Sequence, residues 1–243
     1  MNKVYVVGLG PGGEEFMTAQ ARAAMERADV LCGYTVYVDL VKHLYPGKET
    51  YVTPMTRELE RCRWALETAA AGRTVAMVCS GDAGVYGMAG PLLQLAGEYG
   101  GAEVEVVPGV TSALSGAAVL GAPLMHDFCV ISLSDLLTPW ELIARRLEAA
   151  AAGDFVICLY NPMSRGRPDN LRLACETLLK TKSPETAAGW VRSAGRDGEE
   201  ARLTTLGALA DEKLDMFCTV IVGSSATKFL DGRLVTPRGY QRP

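Results

Sequence analysis

Histidine is nearly absent from this sequence: His43 and His126 are the only two in 243 residues, and the seven cysteines contain no CxxC pair. Zinc and iron–sulfur sites draw on those residues at short, regular spacings, so no metal site is expected. The cysteines are odd in number and scattered through apolar runs, which fits reduced, buried thiols of a cytoplasmic protein. Apolar runs of about 20 residues, the length a membrane helix needs, are also missing. The opening residues run from Met1 and Asn2 straight into Lys3-Val4-Tyr5-Val6-Val7-Gly8, without the charged and apolar regions of a secretory signal, so a cytoplasmic location is expected. Nor is there an excess of basic residues: 24 Lys and Arg stand against 28 Asp and Glu, and the formal net charge of −4 provides no field to attract nucleic acid. An anionic substrate therefore has to be met by Arg and Lys placed locally.

What is present is the pattern of an α/β protein. Short β-rich runs alternate with amphipathic helical stretches, as in folds with largely parallel strands. Strands are expected over Val4–Gly8, Val30–Cys32, Thr74–Cys79 and Val104–Val107, with a helix between Thr56 and Ala71 whose apolar face is Leu59, Cys62, Leu66 and Ala69. A small-residue helix follows over Ser112–Leu120, and Gly121-Ala122-Pro123 breaks it before a new strand, Phe128–Ser132. That break is the expected domain boundary, giving domains 1–121 and 122–243. The second half continues with strands near Phe155–Tyr160, Ala187–Val191, Arg202–Thr205 and Thr219–Val222, with helices between them. Trp140, Ile143, Leu147 and Ala150 mark one helical face there, and Leu171, Ala174 and Leu178 another; both stripes read as core packing.

Three loops that close strands carry the chemistry of the first half. Gly8-Leu9-Gly10-Pro11-Gly12-Gly13 formally satisfies GxGxxG, the dinucleotide fingerprint. Two details argue against a nicotinamide cofactor: Pro11 removes a backbone donor, and no acidic residue closes the second strand, since Asp29 precedes it. The second loop is Ser80-Gly81-Asp82-Ala83-Gly84-Val85-Tyr86-Gly87, where glycines admit a ligand to the backbone and a carboxylate can hold a ribose hydroxyl or an amino group. The third, Pro108-Gly109-Val110-Thr111-Ser112, ends on two hydroxyls, either of which can serve simply as a helix N-cap. Together they point to a ligand cleft.

In order and spacing these loops resemble the tetrapyrrole methylase family, and the resemblance runs essentially end to end. His126-Asp127-Phe128 followed by Ile131-Ser132-Leu133-Ser134-Asp135 looks like its corrin-pathway branch, while Leu159-Tyr160-Asn161-Pro162-Met163-Ser164, Arg165, Arg167 and the tail Val235-Thr236-Pro237-Arg238-Gly239-Tyr240 are similar to the enzymes that methylate C17. The sequence departs from many family members in having Ala83-Gly84 where a proline follows the Gly-Asp pair, a variant common in the C17 branch. The resemblance implies the two-domain α/β fold of the class III S-adenosylmethionine methyltransferases, in a homodimer, with S-adenosylmethionine bound between the domains and S-adenosylhomocysteine as product. Carried over position by position, the cofactor residues are Pro11, Ser80, Gly81, Asp82, Val85, Thr111, Ser112, Tyr160 and Ser193. Gly10, Ser132, Asn161, Arg165 and Arg167 are the candidates for the tetrapyrrole.

Methyl transfer from a sulfonium depends mainly on positioning, because the leaving group departs as a neutral thioether. The ring contraction that accompanies it in this branch needs an acid or base. His126 is the leading candidate, because histidine is the side chain that ordinarily exchanges protons near neutral pH, although it can equally be a residue that orders the crossover between domains. Asp82 and Asp135 are the alternatives, with Asp82 expected mainly to hold the cofactor. Arg165, Arg167, Arg192, Arg196 and Arg238 are candidates to grip substrate carboxylates in bidentate pairs, against the ordinary role of solvated surface arginines. Three competing functions are kept open: a nicotinamide-dependent oxidoreductase, a non-catalytic corrinoid carrier, and a sibling methyltransferase acting at another carbon.

Overall fold

The computed structural model describes residues 3–100 and 102–240, which fall into two compact units, Met1–Ser112 and Ala113–Pro243. In the first, the elements run β1 (Lys3–Gly8), α1 (Ala19–Arg27), β2 (Val30–Tyr34), α2 (Thr35–Asp39), β3 (Glu49–Thr53), α3 (Glu58–Ala70), β4 (Val75–Cys79), α4 (Ala89–Ala96) and β5 (Glu103–Val107). The strands form one five-stranded sheet in the order β3-β2-β4-β1-β5, with every neighbouring pair parallel.

Alternation along β1 explains why this sheet is covered on both faces. Val4 and Val6 point into a core shared with Cys62, Leu66 and Leu92 of α3 and α4, whereas Tyr5 and Val7 point into a second core with Ala24, Met25 and Val38 of α1 and α2. A strand buried on both sides reads as a continuous apolar run, which is how β1 and β4 appear in the sequence. On α3, Cys62, Leu66 and Ala69 are buried as expected, but Leu59 is exposed and does not belong to the apolar face.

The second unit contains β6 (Gly121–Ala122), β7 (Phe128–Ser132), α6 (Trp140–Ala152), β8 (Val156–Tyr160), α7 (Asn170–Leu178), β9 (Ala187–Arg192), β10 (Glu200–Thr205), α8 (Leu206–Leu209), β11 (Cys218–Val222), β12 (Lys228–Leu230) and β13 (Arg233–Val235). The helix α5 (Ser112–Leu120) leads into it. The main sheet has the order β10-β9-β11-β8-β7, and here the expectation of parallel strands is corrected: only β7 and β8 pair in parallel, while β8-β11, β11-β9 and β9-β10 are antiparallel. No helix separates β9 from β10. A parallel return requires a crossover of a dozen or more residues, and the short link between those strands is too short for one.

Isoleucine, leucine and tryptophan side chains of α6, α7, α8 and the sheet fill the core of this unit, among them Ile143, Leu147, Leu171, Leu178 and Trp190. The other face of the sheet is covered by α5. A Cβ on Gly116 would lie 3.7 Å from Thr219 and 3.8 Å from Val191, and one on Gly189 would lie 3.1 Å from Leu120. This packing gives α5 from Ala113 onward to the second unit, so the units divide at Ser112–Ala113, in the first turn of the helix, whereas the helix break at Gly121-Ala122-Pro123 lies inside the second unit, where Gly121 and Ala122 pair in parallel with Leu234 and Val235.

Candidate functional site

The carboxyl ends of β4, β1 and β5 are adjacent in the first sheet, so the three loops flagged in the sequence emerge side by side. Main-chain contacts bind them together. Gly10 and Gly81 exchange backbone hydrogen bonds at 3.0 and 2.7 Å. A Cβ on Gly8 would sit 2.7 Å from the Gly109 nitrogen and 2.8 Å from the Gly81 carbonyl oxygen, so the three strands approach here as only bare backbone can.

Asp82 completes the arrangement. Its Oδ1 accepts from the amides of Gly84 and Val85 at 2.8 and 3.1 Å, closing its own loop, and its Oδ2 accepts from the Gly109 amide at 3.0 Å, joining that loop to the next. A carboxylate held by three backbone donors is a fixed anchor. The position of Asp82 thus supports a positioning task for it, with the proton-carrier alternative deriving no contact from this geometry. Behind the loop, burial pushes the Cys79 thiol up to about 11, which removes it as a nucleophile near neutral pH.

The same geometry settles the glycine motif. Past Gly13 the chain makes a short turn over Glu14–Phe16, and α1 begins only after Thr18, whose Oγ1 accepts from the Ala21 amide at 3.0 Å. Dinucleotide loops place their glycines at a helix N-terminus; here the backbone of Gly10 is engaged by Gly81 instead.

In the second unit β7, β8 and β9 run in the same direction, so their carboxyl ends share one edge of the sheet. Ser132, Tyr160, Asn161 and Ser193 all fall on that edge. Asn161 Nδ2 donates to Ser132 Oγ at 3.0 Å, and the Tyr160 hydroxyl accepts from the Ala113 amide at 2.7 Å, satisfying a first-turn donor of α5. Asn161 and Ser193 have φ of 51° and 52°, the left-handed region that non-glycine residues occupy at a cost and that clusters at ligand sites.

The arginines divide. Arg165 is exposed and has no partner among the described residues, and Arg167 is half-buried with an ion pair to Asp135 at 3.6 Å. Arg192 is not available to a substrate: it binds Asp215 at 3.1 Å, Glu200, and the Lys213 carbonyl at 3.2 Å. Its role is to join β9 to the segment before β11.

His126 is set apart from the other candidates of this unit. It precedes β7 and therefore lies at the amino edge of the sheet, whereas Ser132 and Asn161 lie at the carboxyl edge. At about 3.3 Å per strand residue the separation is on the order of 15–20 Å. Its ring is exposed and makes no hydrogen bond among the described residues, so the ordering role has no contact behind it either. We expect His126→Ala to form product within a few-fold of the parent rate across pH 6 to 8; a loss of about 10²-fold or more, the scale of a missing general acid or base, would restore a catalytic role.

Main-chain cradles at the carboxyl edge of a doubly wound sheet define an α/β protein that holds a small ligand, without the helix start that dinucleotide proteins use. The chain belongs to the tetrapyrrole (corrin/porphyrin) methylases, matching that family over residues 3–210. It is 50% identical over 236 residues to the probable cobalt-factor III C(17)-methyltransferase of Salmonella typhimurium, covering 97% of this chain and 98% of that protein. Among solved structures, the methyltransferase CobJ aligns with a TM-score of 0.89 and 38% identity, covering 96% of this chain and 99% of that one. Uroporphyrin-III C-methyltransferase from Thermus thermophilus, solved in complex with S-adenosylhomocysteine, aligns with a TM-score of 0.71 and 26% identity, covering 91% and 92%. The chain is a methylase, and the oxidoreductase and carrier readings fall away. Among the described residues no group of His, Cys, Asp and Glu is placed to hold a metal, and no helix is long and apolar enough to cross a membrane.

Proposed function

We propose that this chain transfers a methyl group from S-adenosylmethionine to C17 of a tetrapyrrole at the cobalt-factor III or precorrin-3B stage of cobalamin biosynthesis, with contraction of the ring. The observation that carries the reading is 50% identity along nearly the whole length of a protein so named, together with the segment Leu159-Tyr160-Asn161-Pro162-Met163-Ser164.

Bound S-adenosylmethionine supplies an electrophilic methyl and departs as S-adenosylhomocysteine, a neutral thioether. The loops of the first unit fit such a ligand, since between Ser80 and Val85 every side chain is small and the one charged group, Asp82, is turned onto backbone amides. Pro11, Ser80, Gly81, Asp82, Val85, Thr111 and Ser112 belong to these loops, and Tyr160 and Ser193 are the further cofactor candidates of the second unit. Rigid positioning is the main contribution such a frame makes to the reaction. A homodimer in the cytoplasm is the expected state, to be checked by sedimentation.

Titration with S-adenosylhomocysteine and with NADH tests the cofactor: binding of the first alone is expected, and no binding at millimolar ligand defeats the reading. Incubation with labelled cofactor and cobalt-precorrin-3 or precorrin-3B, followed by NMR of the product, locates the methyl. For the substrate carboxylates, Arg165→Ala is expected to weaken tetrapyrrole binding by about 1.5 kcal/mol, the lower end for a hydrogen bond between charged groups because the site is exposed. Cofactor affinity should not change. Equal losses for both ligands would mean damage to the fold.

A further inference from the structure

Two adjacent leucines stand almost free of the protein beside the second-unit candidates. Leu136 is 64% and Leu137 93% exposed, on the loop that joins β7 to α6. A single exposed leucine needs no explanation, but this pair sits at the middle of a loop whose ends are firmly held. At its start Leu133 donates to the Tyr160 carbonyl at 2.9 Å, Asn170 donates to the Leu133 carbonyl at 2.7 Å, and the Ser134 amide donates to Ser132 Oγ at 3.2 Å. At its end the Pro139 carbonyl begins α6 by accepting from Leu142 at 3.0 Å. Between those anchors residues 136–138 make no hydrogen bond among the described residues. What restrains the middle is Asp135, whose carboxylate faces Arg167.

That ion pair is weak by construction. At 3.6 Å it is too long for a hydrogen bond, and both partners are solvent-accessible. Arg167 itself is held firmly. Its backbone bridges to Ser164 at 3.2 and 3.0 Å, and its Nε donates to Ser164 Oγ at 3.3 Å, which fixes the guanidinium while one of its terminal nitrogens faces Asp135. A fixed fork met by a single loosely placed carboxylate oxygen is a site that a better-placed carboxylate will take.

We propose that Asp135 occupies Arg167 in place of a substrate carboxylate, and that exchange of the two frees the loop to lay Leu136 and Leu137 on the apolar face of the macrocycle. The proposal rests on the reading of the substrate as a polycarboxylated tetrapyrrole, whose macrocycle is apolar and whose rim is anionic. Leucines beside arginines complement that pattern. Asp135 is thus a positioning residue: without it the leucines would be exposed with nothing to hold them off, and with it the loop closes only when a carboxylate arrives.

The test is binding of uroporphyrin, an octacarboxylate porphyrin, to the full chain, followed by porphyrin fluorescence at several salt concentrations with S-adenosylhomocysteine affinity as control. Asp135→Asn is expected to tighten porphyrin binding about three- to tenfold, and the gain should vanish in an Arg167→Ala background. Through-space repulsion of a polyanion by Asp135 would instead survive Arg167→Ala, and that result overturns the exchange. Leu136→Ser with Leu137→Ser should weaken porphyrin binding tenfold or more and leave the control unchanged; if it only dissociates a dimer, the leucines belong to a subunit interface and the proposal fails. Amide exchange at residues 134–138 should slow when porphyrin binds. Parent protein that binds no porphyrin overturns the substrate reading and the exchange together, whereas normal parent binding with an indifferent Asp135→Asn overturns the exchange alone.

Discussion

Gly109→Ala is expected to abolish S-adenosylhomocysteine binding at concentrations that saturate the parent, a loss of at least about 10²-fold, or 2.7 kcal/mol in affinity. The added methyl would collide with the Gly81 carbonyl oxygen and lie 2.7 Å from the carbonyl carbon of Gly8. All the atoms it meets are backbone of neighbouring strand ends, so no rotamer change relieves the contact, and the loops must separate. Overpacking of this kind costs about 1–3 kcal/mol of stability. For a protein of this size that is a fall in melting temperature of roughly 2–4 °C for each kcal/mol. Calorimetric titration and a melting curve check both parts. Normal affinity in the variant would mean that the cofactor does not use this junction.

Asp82→Ala should be nearly as severe, for a different reason. Three backbone donors on two loops lose their common acceptor, and at about 1.5 kcal/mol for each, the lower end for a hydrogen bond to a charged group, the total is on the order of 4–5 kcal/mol, shared between stability and cofactor affinity. Asp82→Asn separates the two bonds to Gly84 and Val85 from the bond to Gly109. The amide oxygen can replace Oδ1, but its nitrogen would then face the Gly109 N–H at 3.0 Å, donor against donor. An intermediate loss is therefore expected. If Asp82→Asn is as active as the parent and Asp82→Ala retains full affinity, the loops are held by backbone contacts alone.

Elements whose limits are set locally were legible in the sequence. The helix over Ser112–Leu120 and the strand over Phe128–Ser132 appear with those bounds, because small helix-forming residues end at Gly121 and a β-branched and aromatic run begins after Pro123. The edge strand β3 was missed: Glu49-Thr50-Tyr51-Val52-Thr53 is mostly exposed, so its composition lacks the apolar run that marks β1 and β4. Strand direction in the second unit was illegible for another reason, since it depends on which strands become neighbours. The site shows the same division. Three strand-end loops could be picked out one at a time, but the bond from Asp82 to Gly109 spans 27 positions and has no local signature. His126 stands out in the sequence as one of two histidines, just after the helix break at Gly121-Ala122-Pro123, and the pairing of β7 with β8 puts it at the far edge of the sheet.

Because the junction of Gly8, Gly81 and Gly109 is made of main chain, the first unit's cradle has no rotamers there to freeze when a ligand arrives. Ordering a long side chain can cost up to about 2 kcal/mol, and this surface escapes that cost. The same economy restricts redesign. Widening a pocket lined by side chains is a matter of trimming leucine to alanine, but there is nothing to trim at a glycine. Sulfonium donors carrying ethyl or allyl in place of methyl would have to be accommodated by moving whole loops, with Asp82 as the tie to lengthen or release.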